Sequence, residues 1–269
     1  MSTPDRTLDP ALDPGSPVPA DGATPAPRGR RILAHAALEA RTLLTNGEQL
    51  MVALALPAMV LVGLRLLPVG RIDGAAPIDT AIAATLATAL VSTAFTSQAI
   101  QTGFDRRNGV LRWVATTPLG RDGYLAGKIL ATLLVHVLQV LVLGTVALVM
   151  GWRPGIGGLL AAVPVWALGT IAFGALGLLL AGRLRTEGVL AASNLVFVLF
   201  VVAGIAVPVT RYPRFLGGIV DLLPSGALGE LLRACLAHGP FSIGSVVVLL
   251  AWAVGGTAAV VRWFRWTDA

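Results

Sequence analysis

The side-chain groupings that could do catalytic chemistry fall short one by one. His35 and Glu39 stand four apart, but a zinc-protease helix needs a second histidine and a glutamate next to the first. Pro-Phe-Ser-Ile-Gly at 240–244 lacks the leading glycine of the strained turn that presents a nucleophilic serine. The segment DGYLAGKI (122–129) comes nearest to a phosphate-binding loop, which needs Gly-rich backbone, a lysine and a magnesium-binding hydroxyl. Asp122 replaces the first glycine and Ile129 the hydroxyl, so it is not an ATP site. Apolar segments contain no pair of carboxylates for an aspartyl protease or a proton relay. The single cysteine, Cys235, allows no intrachain disulfide and has no metal-ligand spacing around it. The chain is therefore expected to carry no catalytic residue, no metal and no cofactor of its own.

What remains is polarity inside apolar surroundings. His136 and Gln139 are three apart, on one helix face. They could line a substrate path or hydrogen-bond a neighbouring helix, as polar side chains within membranes commonly do. Ser92, Thr93, Thr96, Ser97, Gln98 and Gln101 make another stretch polar, so part of it must face protein or water. Ser97, Gln98, Gln101, His136 and Gln139 are the candidate substrate-path residues. Arg65 is expected to snorkel to an interface.

The elements that would position these groups are membrane spans. Of 269 residues, 55% are hydrophobic and 13% charged, and the mean hydropathy is +0.80. A soluble domain carries roughly twice that charged fraction. Segments of about 20 apolar residues cross the ~30 Å hydrocarbon layer, and six are expected, at 50–68, 78–101, 128–150, 158–181, 189–209 and 242–262. Residues 1–27, with seven prolines, read as a disordered tail that lacks the charged start and apolar centre of a signal peptide. Residues 28–269 form the membrane domain. Its first part, from Arg28 to about Glu48, has Ile32, Leu33, Ala36, Ala37, Leu43 and Leu44 near helical spacing. Arg30, Arg31, Glu39 and Arg41 lie elsewhere around the helix. That pattern suits a helix lying in the membrane interface, with a bend at Asn46-Gly47.

Net charge is +6, which here reports orientation rather than nucleic acid. Arg6, Arg28, Arg30, Arg31 and Arg41, the loop with Arg106, Arg107, Arg112, Arg121 and Lys128, then Arg183, Arg185, Arg262 and Arg265 share one side. Arg71, Arg153, Arg211, Arg214 and Arg233 share the other. The positive-inside rule puts both termini in the cytoplasm of a multi-pass cytoplasmic-membrane protein. Trp152, Tyr212, Trp263 and Trp266 sit near span ends, as an aromatic belt would.

The basic loop GFDRRNGVLRWVATTPLGRDGYLAGKILA (103–131) is long and patterned. Asn108-Gly109 reads as a turn, and Val110 to Thr116 as a short helix with Leu111 and Val114 on one side. Pro118 ends it, and a new helix starts near Arg121-Asp122. This loop resembles that of ABC-2 type transporter permeases in Arg106, Arg107, Gly109, Leu111, Thr117, Pro118, Leu119, Arg121 and the Gly127-Lys128 pair. The entry LEARTLLTNGEQLMVALALPAMVLVGL, with Asn46 and Pro57, is similar to the family's interfacial helix, bend and first span. LLPSGALGELLRACLAHG (222–239) is similar to its segment before the last span through Pro224, Glu230, Leu232, Arg233 and Gly239.

The resemblance implies an all-α integral membrane permease with six transmembrane helices, an N-terminal interfacial amphipathic helix and a cytoplasmic coupling helix between spans 2 and 3. It implies a partner ABC ATPase subunit that holds the ATP and magnesium, a second permease copy, and surrounding lipid. Coupling would fall to Arg106, Arg107, Gly109, Leu111, Arg112, Pro118, Leu119 and Arg121. The loop at 210–241 would form two short re-entrant helices. The cargo implied is an amphipathic drug, antibiotic or lipid-like molecule moved outward. A secondary transporter driven by an ion gradient, or a membrane scaffold, are the alternatives.

Overall fold

The computed structural model describes residues 25–45, 47, 51–66 and 76–265. Most of the proline-rich tail, Asn46, the loop with Arg71, and Trp266 lie outside the described residues. So does the side chain of Arg65.

Among the described residues there are ten α-helices: α1 Arg28–Thr45, α2 Leu56–Leu66, α3 Pro77–Arg107, α4 Val110–Thr116, α5 Gly120–Val149, α6 Ile156–Ala181, α7 Thr186–Val202, α8 Arg214–Asp221, α9 Pro224–Leu236 and α10 Ile243–Trp263. A π-turn at Met51–Ala55 leads into α2. Among the described residues α3, α5, α6 and α10 are each long and apolar enough to cross a bilayer. The pair α8 and α9, bent by 87°, would count as a fifth if it is one broken span. The α2 region and α7 are shorter apolar helices.

Several boundaries move from those expected. The span at 78–101 continues to Arg107, and the span at 128–150 starts at Gly120, because polar residues extend both helices beyond their apolar runs. The span at 189–209 stops at Val202. Its apolar run continues, but the chain turns at 203–207, where Arg233 captures backbone carbonyls. Trp152 is buried, at 4% exposure, with Nε1 3.5 Å from the Leu236 carbonyl, instead of standing in an aromatic belt.

Polar residues within α3 coincide with a change of winding: Ser92–Ser97 adopts π-helical geometry, a form often found at functional positions. This wide turn packs against α6 at Gly177, where a Cβ would press into the backbone of Phe95. Only glycine lets the two helices approach so closely. The adjacent core holds Phe95, Phe173 and Phe200, with Phe200 edge-on to both other rings at 5.5 and 5.3 Å.

Candidate functional site

At the end of the bundle where α3 finishes and α5 begins, a lysine is buried in a largely apolar helix. Lys128 is 2% exposed. A cation so placed must be paired, because the desolvation of an unpaired charge costs several kcal/mol. Its Nζ lies 3.0 Å from Glu39 Oε2 on α1 and 2.8 Å from Asp105 Oδ2 on α3. The Tyr124 hydroxyl donates to the same Asp105 oxygen at 2.7 Å. The ammonium also stands 5.3 Å from the centre of the Tyr124 ring, within cation–π range.

Three helices thus meet on one ammonium. His35 of α1 stacks on the Tyr124 ring at 5.3 Å. Burial lowers the His35 pKa below its usual 6.5; Glu39 and Asp105 raise it, while Lys128 lowers it. The ring is then neutral near pH 7, and its 3.8 Å approach to Glu39 is not an ion pair. Gly127 makes room for this ring, because a Cβ there would collide with His35. Beside it, Ala36 and Ala40 pack on Ala131, small residues that bring α1 and α5 together. Glu39 was expected away from the apolar side of α1; it faces the bundle instead, because Lys128 is its partner.

The same end grips α4 from several directions. Leu111 and Val114 are buried with Tyr124, Ala175, Leu178, Val260 and Phe264. Thr117 turns the chain into an extended conformation before Pro118, as a residue preceding proline favours. Arg31 of α1 donates to the Pro118 carbonyl. Arg106 donates to the Leu184 carbonyl, and Thr186 Oγ1 to the Gly103 carbonyl at 3.3 Å. The exposed pairs Arg107–Glu187 (3.6 Å) and Arg28–Asp122 (3.7 Å) add little.

The residues singled out in the sequence therefore divide. Arg106 and Leu111 are buried and Leu119 packs against the same cluster. Gly109, with φ of +75°, opens α4. Arg107, Arg112, Pro118 and Arg121 are exposed. The outer face of α4 also carries Trp113, 69% exposed. This exposed indole next to Arg112 is uncharged, so the pattern of basic residues does not single it out. Glu39, Asp105, Tyr124 and His35 were likewise not assembled from the sequence.

Of the polar residues midway along the helices, Gln98, His136 and Gln139 are buried. His136 Nδ1 is 3.0 Å from Thr170 Oγ1. Gln139 Nε2 donates to Thr93 Oγ1 at 2.9 Å and to the Ala53 carbonyl at 3.0 Å. Thr132 Oγ1 donates to Gln98 Oε1 at 3.3 Å. Each bond joins two helices of the same protomer. Ser97 and Gln101 are half-buried.

At the opposite end Arg233, 9% exposed, holds the turn that ends α7. It donates to the Gly204 and Ile205 carbonyls at 2.7 and 2.9 Å and to Glu230 Oε1 at 2.8 Å. Glu230 in turn accepts from the Val209 amide at 3.2 Å. The two motif residues of the last loop thus fix the backbone between α7 and α8.

Residues 39–237, about three quarters of the chain, match the family described as ABC-2 type transporter. No curated protein matches the chain. The chain belongs to the ABC-2 type transporter family, whose membrane domains are the transmembrane components of transporters.

Proposed function

We propose that this member of the ABC-2 type transporter family is the permease subunit of an ATP-driven exporter, powered by a separate ATPase subunit and paired with a second permease copy. The α2 region and α7 complete six spans, both termini are cytoplasmic, and α1 lies in the interface of the cytoplasmic membrane. The cargo is an amphipathic drug, antibiotic or lipid-like molecule. A path between two copies would be lined from the polar half of α3, with Ser97 and Gln101 its most accessible members and Gln98, His136 and Gln139 behind them.

One observation carries this reading. The helix α4 is anchored by Leu111 and Val114 on one side and presents Val110, Arg112, Trp113 and Thr116 on the other. An aromatic and an arginine side by side, on a short helix fixed at both ends, suit a groove in a partner. Arg31, Arg106 and Lys128 tie that helix's surroundings to α1, α3, α5 and the α6–α7 connection, so a push on α4 would move the bundle as a lever. ATP and magnesium would be bound by the partner, not by this chain.

Gentle solubilisation of tagged protein from its own host tests the partner: a Walker-motif ATPase should co-purify. Arg112→Glu or Pro118→Ala should impair ATP-driven export while leaving membrane insertion intact. Normal partner-dependent transport by both variants would sink the assignment of α4. Transport driven by an ion gradient without any ATPase would favour a secondary transporter.

A further inference from the structure

The outer surface of α6 and α10 has a groove that the transport reading does not use. It is a shallow, open depression lined by Ile171 on α6 and by Ala253, Thr257, Ala258, Val261 and Arg262 on α10, with about 690 Å³ of space over it. The lining is almost wholly apolar until its last residue. Thr257 donates its hydroxyl to the Ala253 carbonyl on its own helix at 2.7 Å, so it presents its methyl rather than an unmet polar atom. Ala253 and Ala258 keep the floor low, and Val254 and Val261 form an exposed rim, 62% and 79% exposed.

Length and charge together indicate an occupant. From Ala253 to Arg262 is nine residues, or about 14 Å of helix at 1.5 Å per residue. One leaflet of a ~30 Å hydrocarbon layer is about 15 Å deep. The groove starts at the middle of α10, matches one leaflet in length and ends at a cation. Among the described residues Arg262 makes no salt bridge. The Arg265 amide donates to the Gly182 carbonyl at 3.3 Å, so the backbone that follows α10 is fixed to the end of α6. Trp263, 51% exposed, stands where indoles favour the headgroup layer.

We infer that this groove binds an anionic phospholipid, one acyl chain lying along α6 and α10 and the phosphate held by Arg262. The orientation given under Proposed function makes this the inner leaflet; binding itself does not depend on that reading. The position has a consequence for α4. Val260 and Phe264, on the same turns of α10, belong to the cluster that seats Leu111 and Val114. A lipid that steadies the end of α10 therefore steadies the seat of α4.

The test is native mass spectrometry of the purified protein with phosphatidylglycerol or phosphatidylcholine of identical chains, alongside thermal stability. Wild type should retain one phosphatidylglycerol per protomer and bind it about tenfold better than phosphatidylcholine. Arg262→Gln should lose that preference, and Ala258→Trp should lose retention of both lipids. Arg153→Gln, at the other end of the bundle, should keep the wild-type pattern. Equal binding of the two lipids by wild type, or unchanged preference in Arg262→Gln, would overturn the inference. Val254→Cys adds an independent arm that needs no loss of function. A symmetric disulfide between copies in native membranes would make the groove a protein interface and overturn it as well.

Discussion

Lys128 and Arg233 are both buried cations, at opposite ends of the bundle, and they are neutralised in different ways. Lys128 takes two carboxylates from two other helices, Glu39 on α1 and Asp105 on α3. Arg233 takes one carboxylate from its own helix, three residues away, and two backbone carbonyls of the adjacent turn. A compact ammonium suits a point where three elements converge, whereas the flat guanidinium fork suits two successive carbonyls. The first arrangement joins rigid bodies through side chains and can transmit their movement. The second fixes a local backbone path. The difference separates a joint from a splint.

The largest effect should come from removing the joint. Lys128→Met leaves Glu39 and Asp105 facing each other without a cation, and breaking a buried pair of this kind costs about 3 kcal/mol. Thermal unfolding in detergent should show the loss, and a Glu39→Gln/Lys128→Met double variant should recover part of it. Absence of any recovery would mean that the three groups act independently.

Arg233→Lys keeps the charge but loses the fork. About 2 kcal/mol of destabilisation is expected as carbonyls of the turn lose donors. The loss should appear as faster proteolysis near 203–211 and leave the opposite end protected. If both ends loosen together, the splint description is wrong.

Single neutralisations at the joint should matter less. Glu39→Gln and Asp105→Asn each leave Lys128 one carboxylate, and both acids are partly exposed, at 19% and 27%. About 1 kcal/mol each is expected, with the two losses non-additive.

The smallest effect concerns pH. The folded His35 pKa lies below its unfolded value of 6.5, chiefly through burial. Below pH 6.5 the unfolded chain therefore binds a proton that the folded chain does not, and stability falls as pH drops from 6.5 toward the folded pKa. The groups facing the ring are Glu39, Lys128, Asp105 and Tyr124. His35→Phe keeps the stacking on Tyr124 and should flatten that part of the profile. An unchanged slope would show that the acid sensitivity lies elsewhere.

Local signals carried much of the architecture. Asn108-Gly109 and Pro118 bracket α4 at the expected Val110–Thr116, because turn and proline chemistry act within a few residues. Pro224 likewise starts α9, past the 87° bend. Pairing over distance was not legible. Lys128 reads as the last charge of a basic loop, and nothing within a helical turn of it announces Glu39, 89 residues earlier. The apolar run from 189 to 209 gave no hint of stopping at Val202, since hydropathy is blind to carbonyls claimed by Arg233. Spacing set Leu111 and Val114 on one side of α4, and the bundle buries them there, while Trp113 stays outside.

We propose that force from a partner ATPase enters through α4. Trp113→Ala removes only an exposed side chain and should leave Tm unchanged. In vesicles reconstituted with the co-purifying ATPase, it should reduce ATP-driven transport at least tenfold. Wild-type transport rates in Trp113→Ala vesicles, with the ATPase still bound, would contradict the account.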